Sequence, residues 1–356
     1  MNELGIWLYR VRLLLAVLLL VLLLFVSVLS LAACIQKNNH VREHGFPELR
    51  GEFLGQAPPG SEPQLFAPGI VSNGMTNRDV AISPDGREIF FGLAFGNTVT
   101  ILHSRLVGER WTEPEIAPFA RDPEFAYFEP AFSSDGQTLY FLSNRAGAGQ
   151  EQQSGWGTQN IFAVERQGDG WGEPSALPAP ITTDAYEYFP SVTRDGTLYF
   201  TRQERGGQPA IFRSRWVAGE FQEPEKLGPE INCGTAQYNA FIAPDESYLI
   251  VCVQGHERNI GPVDYYICFR DQNNQWSEAI NLGEKINTQD ARAISPSVSP
   301  DGRYFFFATN RTDEKVSFPD GTLTWDGLVA LHKSPRNGSA DIYWVDTAIF
   351  AELRPK

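Results

Sequence analysis

An all-β fold made of repeated four-stranded units is predicted by three observations. The first is a recurring turn. The segment Glu129-Pro130-Ala131-Phe132-Ser133-Ser134-Asp135-Gly136-Gln137-Thr138-Leu139-Tyr140-Phe141 has variants at residues 82–86, 192–196, 242–246 and 298–302, and apolar runs such as Leu198-Tyr199-Phe200 follow. An apolar strand, an Asp-Gly turn and a second apolar strand spell a β-hairpin: Asp folds its side chain onto the turn's backbone and Gly supplies the positive φ. The second is a spacing. Glu-Pro recurs at residues 62–63, 113–114, 173–174 and 223–224, with Glu278-Ala279 as the fifth, and the next turn Asp follows after 22, 21, 21, 21 and 22 residues. The third is a strand marker, Ile101, Ile161, Ile211 and Tyr266, placed 13 residues before four of those sites. The unit is thus one strand before the turn, one after it, the Ile-Phe strand, and an outer strand headed by Trp111, Trp171, Phe221 or Trp276.

In chain order, residues 1–12 carry Arg10 and Arg12, and Leu13 to Ala33 is almost wholly aliphatic. A basic start, an apolar core and small residues before a cut are the marks of a removed signal. Leu31-Ala32-Ala33-Cys34 resembles a bacterial lipoprotein signal with its lipobox, which implies a diacylglycerol on Cys34. An uncleaved membrane anchor is the other reading, since 21 apolar residues reach across a bilayer. Either reading puts the remainder outside the cytoplasm, in the cell envelope. The expected organisation is a signal peptide over 1–33, a lipidated Cys and tether over 34–52, and the repeat domain over 53–356.

Cleavage leaves Lys+Arg at 27 (from 29) and Asp+Glu at 42 (from 43), a net charge of −15. That charge repels phosphate backbones, so no nucleic-acid partner is expected.

The first Glu-Pro, Glu62-Pro63, has no strands of its own before it, and the last Ile-Phe-type strand, Asp341-Ile342-Tyr343-Trp344-Val345, has no Glu-Pro after it. First and last segments sharing one sheet seal a ring and leave no open edge. The pattern Pro-x-x-Ser-x-Asp-Gly, then Leu-Tyr-Phe, then Ser143-Asn144-Arg145 or Thr309-Asn310-Arg311 resembles the WD-repeat-like β-propeller repeat of periplasmic Tol-type and other exported bacterial proteins. The likeness spans roughly residues 53–350. It implies a single β-propeller of four-stranded antiparallel blades. It leaves the activity open, because such propellers include translocation components, peptidase accessory domains and a few lyases. Asp245-Glu246 lacks the turn Gly, which predicts an altered turn in the fourth unit. The markers count five blades, with a degenerate sixth left open in residues 46–77 or 312–338. Two insertions, Gln150 to Thr158 and Thr312 to Ser339, are expected to project as loops.

The residues before each turn belong to the strand that lines a propeller's channel. Arg78, Asp79, Tyr127, Glu129, Glu187, Tyr188, Tyr238, Asn239 and Arg292 are the candidate ligand-binding residues, gathered round one mouth. Carboxylates, arginines and aromatic faces there suit a polar ligand, a sugar or a peptide end. The plainer reading is ordinary channel lining, solvated or paired with neighbours. If the protein is an enzyme, Asp79, Glu129 and Glu187 are the candidate catalytic carboxylates of a glycosidase-like site. No metal or other cofactor is expected, because the five histidines are scattered and no His-Glu-x-x-His or Cys-x-x-Cys occurs. There is also no Gly-x-Ser-x-Gly. Cys252 and Cys268 fall on neighbouring strands, which leaves a disulfide or two buried thiols open, with Cys233 left over. The expected function is a lipid-anchored binding or scaffold propeller, its partner an envelope protein or a carbohydrate, with a carbohydrate-active enzyme as the alternative.

The lipobox generates one prediction. Cys34→Ala abolishes both palmitate labelling and signal processing. A Cys34→Ala protein that is processed and membrane-bound like the parent overturns the lipoprotein reading.

Overall fold

Each Asp-Gly turn is held by its own side chains. Asp85 Oδ1 accepts from Ser83 Oγ at 2.6 Å and from the Arg87 N–H at 3.1 Å, and Asp135 does the same with Ser133 at 2.6 Å and Gln137 at 3.0 Å. Thr193 with Asp195 and Ser299 with Asp301 repeat the pattern. The altered turn expected at Asp245-Glu246 does not occur. Glu246 itself takes φ +57°, where Gly86, Gly136, Gly196 and Gly302 have +69°, +70°, +86° and +75°. The strain of a side chain in that region is met by anchoring. The Glu246 carboxylate accepts from Tyr199 Oη at 2.6 Å and is paired with Arg270.

The computed structural model describes residues 45–312 and 321–355, so Cys34 and the apolar segment before it lie outside the described residues. From Leu49 onward the chain forms five antiparallel sheets in a ring, a five-bladed β-propeller. The innermost strands are Thr76–Ile82, Tyr127–Phe132, Tyr186–Val192, Ala236–Ile242 and Ile294–Val298. The second strands, after the turns, are Glu88–Phe95, Thr138–Ser143, Leu198–Gln203, Tyr248–Gln254 and Tyr304–Thr309. Thr98–Val107, Asn160–Gln167, Ala210–Ser214, Val263–Phe269 and Asp341–Asp346 form the third. Apolar residues of the second and third strands pack against neighbouring blades, with Phe90, Phe141, Phe200, Phe305 and Trp344 fully buried.

The outer strands sit one step later than the sequence pattern places them. Trp111 and Trp171 only extend a hairpin from the third strand, and the outer ladder forms just past the Glu-Pro site, at Glu115–Ile116, Ser175–Ala176, Glu225–Lys226 and Ile280–Asn281. Proline has no N–H to give a ladder, so pairing pauses there and resumes on the following residue. Gln64–Leu65, after Pro63, sits at that same offset, and it pairs antiparallel with Trp344 and Tyr343 of the last blade. The N-terminal segment therefore supplies the fifth blade's outer strand. Phe66 follows it into the core, fully buried, with its ring 5.0 Å from Phe306 and 5.3 Å from Trp344.

The insertion of the last blade is more than a loop, since Thr324 caps a helix over Trp325–His332; residues 313–320, including Phe318, lie outside the described residues. A Cys252–Cys268 disulfide is ruled out by register. Cys252 pairs with Tyr265 and Cys268 with Leu249, so their side chains point to opposite faces of the blade and enter separate apolar clusters. Both are buried free thiols.

Closure carries a testable cost. Phe66→Ala removes a buried ring at the seam and is expected to destabilise by about 3–5 kcal/mol in urea unfolding. A loss under about 1 kcal/mol would show that the seam contributes little.

Candidate functional site

All five innermost strands break their pairing at one register, six residues before the turn Asp. The residue there is left-handed in each blade: Asp79 (φ +59°), Glu129 (+61°), Phe189 (+52°), Asn239 (+51°) and Ser295 (+59°). Such bulges re-aim side chains, and Glu and Phe in this region are strained. Here the bulges turn backbone N–H groups across blade boundaries. The Glu129 N–H donates to Asp79 Oδ2 at 3.3 Å, the Phe189 N–H to Glu129 Oε2 at 2.7 Å, and the Asn239 N–H to Thr201 Oγ1 at 3.0 Å. Three blade contacts are thus stitched at the axis.

Arg78 joins the two carboxylates of this girdle. Its Nε donates to Asp79 Oδ2 at 2.9 Å and its Nη2 to Glu129 Oε1 at 2.8 Å, while the guanidinium lies 4.6 Å over the Phe128 ring. The Asp79 and Glu129 side chains are 1 % and 4 % exposed, so water screens them little. Burial pushes the Glu129 carboxyl up to about 8; the charge of Asp79 adds to that rise, and Arg78 and the Phe189 N–H oppose it. Burial alone would lower Arg78, but the two carboxylates outweigh it and hold the guanidinium above its usual value.

The girdle divides the channel. Toward the loops, Arg78, Phe128, Tyr188 and Tyr238 occupy one register, and Trp156 stacks on Phe128 with ring centroids 6.3 Å apart. Toward the turns, a cavity of about 280 Å³ begins at Asp79, Glu129, Phe189 and Ser295. Its walls include Pro130, Pro190, Ile242, Pro296 and Val298, and the exposed residues at its mouth are Pro84, Ser134, Arg194, Pro244 and Pro300, one from each turn.

The sequence-predicted residues divide accordingly. Arg78, Asp79 and Glu129 come together at the girdle. Tyr188 and Tyr238 lie on its loop side, where burial pushes both phenols above their usual value. Arg292 is exposed on that side. Asn239 is 2 % exposed and serves the girdle through its backbone. Tyr127 and Glu187 stand one residue earlier, and strand alternation turns them between the blades. Tyr127 packs on Phe141. Glu187, fully buried, accepts from Arg202 Nε at 3.0 Å and from Thr183 Oγ1 at 2.6 Å within its own blade, and it lines no part of the cavity. Burial raises its carboxyl, with Thr183 and Arg202 pulling against the rise.

Two features escaped the sequence reading: the left-handed girdle and the apolar cavity beyond it. A signal was present. Pro130, Pro190 and Pro296 each follow a girdle residue inside a strand, where proline marks a break in the ladder. Among the described residues no three His, Cys, Asp or Glu side chains are grouped to hold a metal.

No protein-family model and no curated protein matches the chain. Among solved structures it is similar to TolB from Acinetobacter baumannii, at 16 % identity and a TM-score of 0.42, covering 76 % of this chain and 54 % of that one. The chain thus spans about half of that protein's length. It is also similar to the periplasmic gluconolactonase PpgL of Pseudomonas aeruginosa, at 13 % identity and a TM-score of 0.38, covering 66 % of this chain and 68 % of the other. A third is a puromycin-hydrolyzing peptidase of Mycobacterium tuberculosis, at 14 % identity and 0.38, covering 69 % and 36 %.

Glu129 predicts a pH dependence. Its folded value, about 8, lies above the unfolded value of 4.5, so the folded state binds more protons between them. Its contribution is fully present below pH 4.5 and is lost as pH rises through 8. Melting temperatures of the parent are expected to fall relative to Glu129→Gln across that window; parallel curves would show that Glu129 ionises as it does in water.

Proposed function

We propose that the propeller is a binding module whose turn-side channel receives an apolar segment of a protein partner, and that a lipid on Cys34 keeps it in the cell envelope. The observation that carries this reading is the cavity itself. It is about 280 Å³, walled mainly by proline, valine, isoleucine and phenylalanine with serines between them, and bordered by five exposed turn residues. Apolar surface of this kind gains free energy by covering another apolar surface. The glycosidase alternative fares poorly at the girdle. A glycosidic bond must lie between two carboxyls, yet the Arg78 guanidinium fills the space between Asp79 and Glu129, and Glu187 belongs to a different cluster.

The blades supply a rigid mouth, so little order has to be created on binding. Charge at the mouth is mixed: Arg194 lines it, while the turn aspartates line no part of the cavity. The Ser133 hydroxyl and the Gln137 N–H hold Asp135 below the usual carboxylate range, and Thr193 with the Thr197 N–H does the same for Asp195.

A photo-crosslinking residue in place of Ser134 tests this in cells. Val298→Trp fills the channel from one wall, and the Ser134 adduct is expected to fall by about tenfold or more, equivalent to about 1.4 kcal/mol. An undiminished adduct, with the melting temperature of Val298→Trp unchanged, overturns the channel as the binding site.

A further inference from the structure

We infer that the floor of the channel is an ammonium site: a primary ammonium on an apolar stem, carried by the partner's segment, sits on Glu129, Asp79 and Ser295 Oγ, with its stem against Pro130, Pro190 and Val298. This rests on the channel being the binding site and names the chemistry it selects. Three observations carry it. First, Arg78 is one cation facing two carboxylates, so full ionisation leaves one negative charge uncompensated at the end of an apolar cavity. Second, a carboxylate has about four acceptor positions, and Glu129 uses two, one toward Arg78 and one toward the Phe189 N–H. Third, Ser295 Oγ has no hydrogen-bond partner among the described residues although Ser295 is 2 % exposed and lines the cavity. A buried hydroxyl left so is costly. An ammonium brings three N–H donors and one positive charge, which meets the three acceptors and the missing charge together. An anion would face two carboxylates, and a neutral alcohol would leave the charge uncompensated.

The groups facing Glu129 are Arg78 and Asp79 from the first blade, Tyr188 from the third and Cys252 from the fourth. In the empty channel the Glu129 carboxyl holds a proton at neutral pH, and an ammonium must displace it.

Calorimetric titration of the full chain with n-hexylammonium, n-hexanol and hexanoate tests the site. At about pH 8.5 hexylammonium is expected to bind about tenfold or more tighter than hexanol, and hexanoate weakest of the three. Below pH 8 its affinity is expected to fall by about tenfold per unit, with proton release read from buffers of different ionisation enthalpy. Glu129→Gln is expected to abolish the preference and flatten the pH profile. Ser295→Ala, which disturbs no hydrogen bond of the fold, is expected to weaken hexylammonium severalfold and leave hexanol unchanged. A blocked apolar peptide with one internal lysine, against a lysine-free peptide with a free N-terminus, tells a side-chain ammonium from a chain-end one. Hexanol binding as tightly as hexylammonium, or a preference that survives both substitutions, overturns the ammonium site and leaves the apolar channel standing. Hexylammonium binding that Val298→Trp does not disturb, or no binding by any of the three probes, overturns the ammonium site, and the Ser134 adduct then decides on the channel separately.

Discussion

Everything in this molecule depends on one pairing, the seam between Gln64–Leu65 and Asp341–Asp346. Without it the last blade would present an unpaired strand to solvent, and such edges invite pairing with other chains. The seam needs few residues because it is backed by rings. Phe53 and Phe66 lie against Trp344, and Tyr304 and Phe306 complete the cluster. Trp111 of the first blade ties the incoming segment down, its Nε1 donating to the Gly51 carbonyl at 2.7 Å. Closure is therefore both a sheet and a core event, and hydrogen bonds there are protected from competing water by the packing around them.

A closed ring imposes a second constraint at its axis, where five strands crowd together. The answer in every blade is a bulge with a left-handed residue, and the strained backbone is repaid in contacts between blades. The first two blades place carboxylates at this position and Arg78 beside them. Two like charges a few ångströms apart in a buried place would repel strongly; the guanidinium faces both carboxyls, and Glu129 is pushed up to about 8. That plate separates a loop-side mouth lined by aromatic rings from a turn-side cavity lined by proline, aliphatic residues and serine. The two mouths therefore differ in chemistry although the same five strands build both.

Much of the fold was legible from the repeat alone. The turn spacing gave the number of blades, and the orphan Glu62-Pro63 marked the strand that closes them, because ladder offsets in a repeat are inherited from one unit to the next. Two blade readings failed for local reasons, and the choice left open at the cysteines was decided by register. Glu246 keeps a turn without glycine, since Tyr199 and Arg270 anchor its carboxylate from other strands. The outer strands shift past proline, which cannot donate to a ladder. Cys252 and Cys268 diverge because their true register offsets them by an odd number of residues. The candidate site was legible in part. Arg78, Asp79 and Glu129 do converge, whereas Tyr127 and Glu187, adjacent in sequence, turn between the blades.

By itself the sequence determined the repeat architecture: turn chemistry, strand periodicity and constant spacing are local properties, and the unmatched first and last segments marked where the ring closes. Only the tertiary structure decided which side of each inner strand faces the axis. A bulge at Asp79, Glu129, Phe189, Asn239 and Ser295 resets the alternation within a single strand. That reset depends on contact with the neighbouring blade, through the N–H groups of Glu129, Phe189 and Asn239. The cavity follows from the same cause. Its walls come from all five blades, whose equivalent residues stand 50 to 60 positions apart from one blade to the next, and their convergence is a consequence of ring closure.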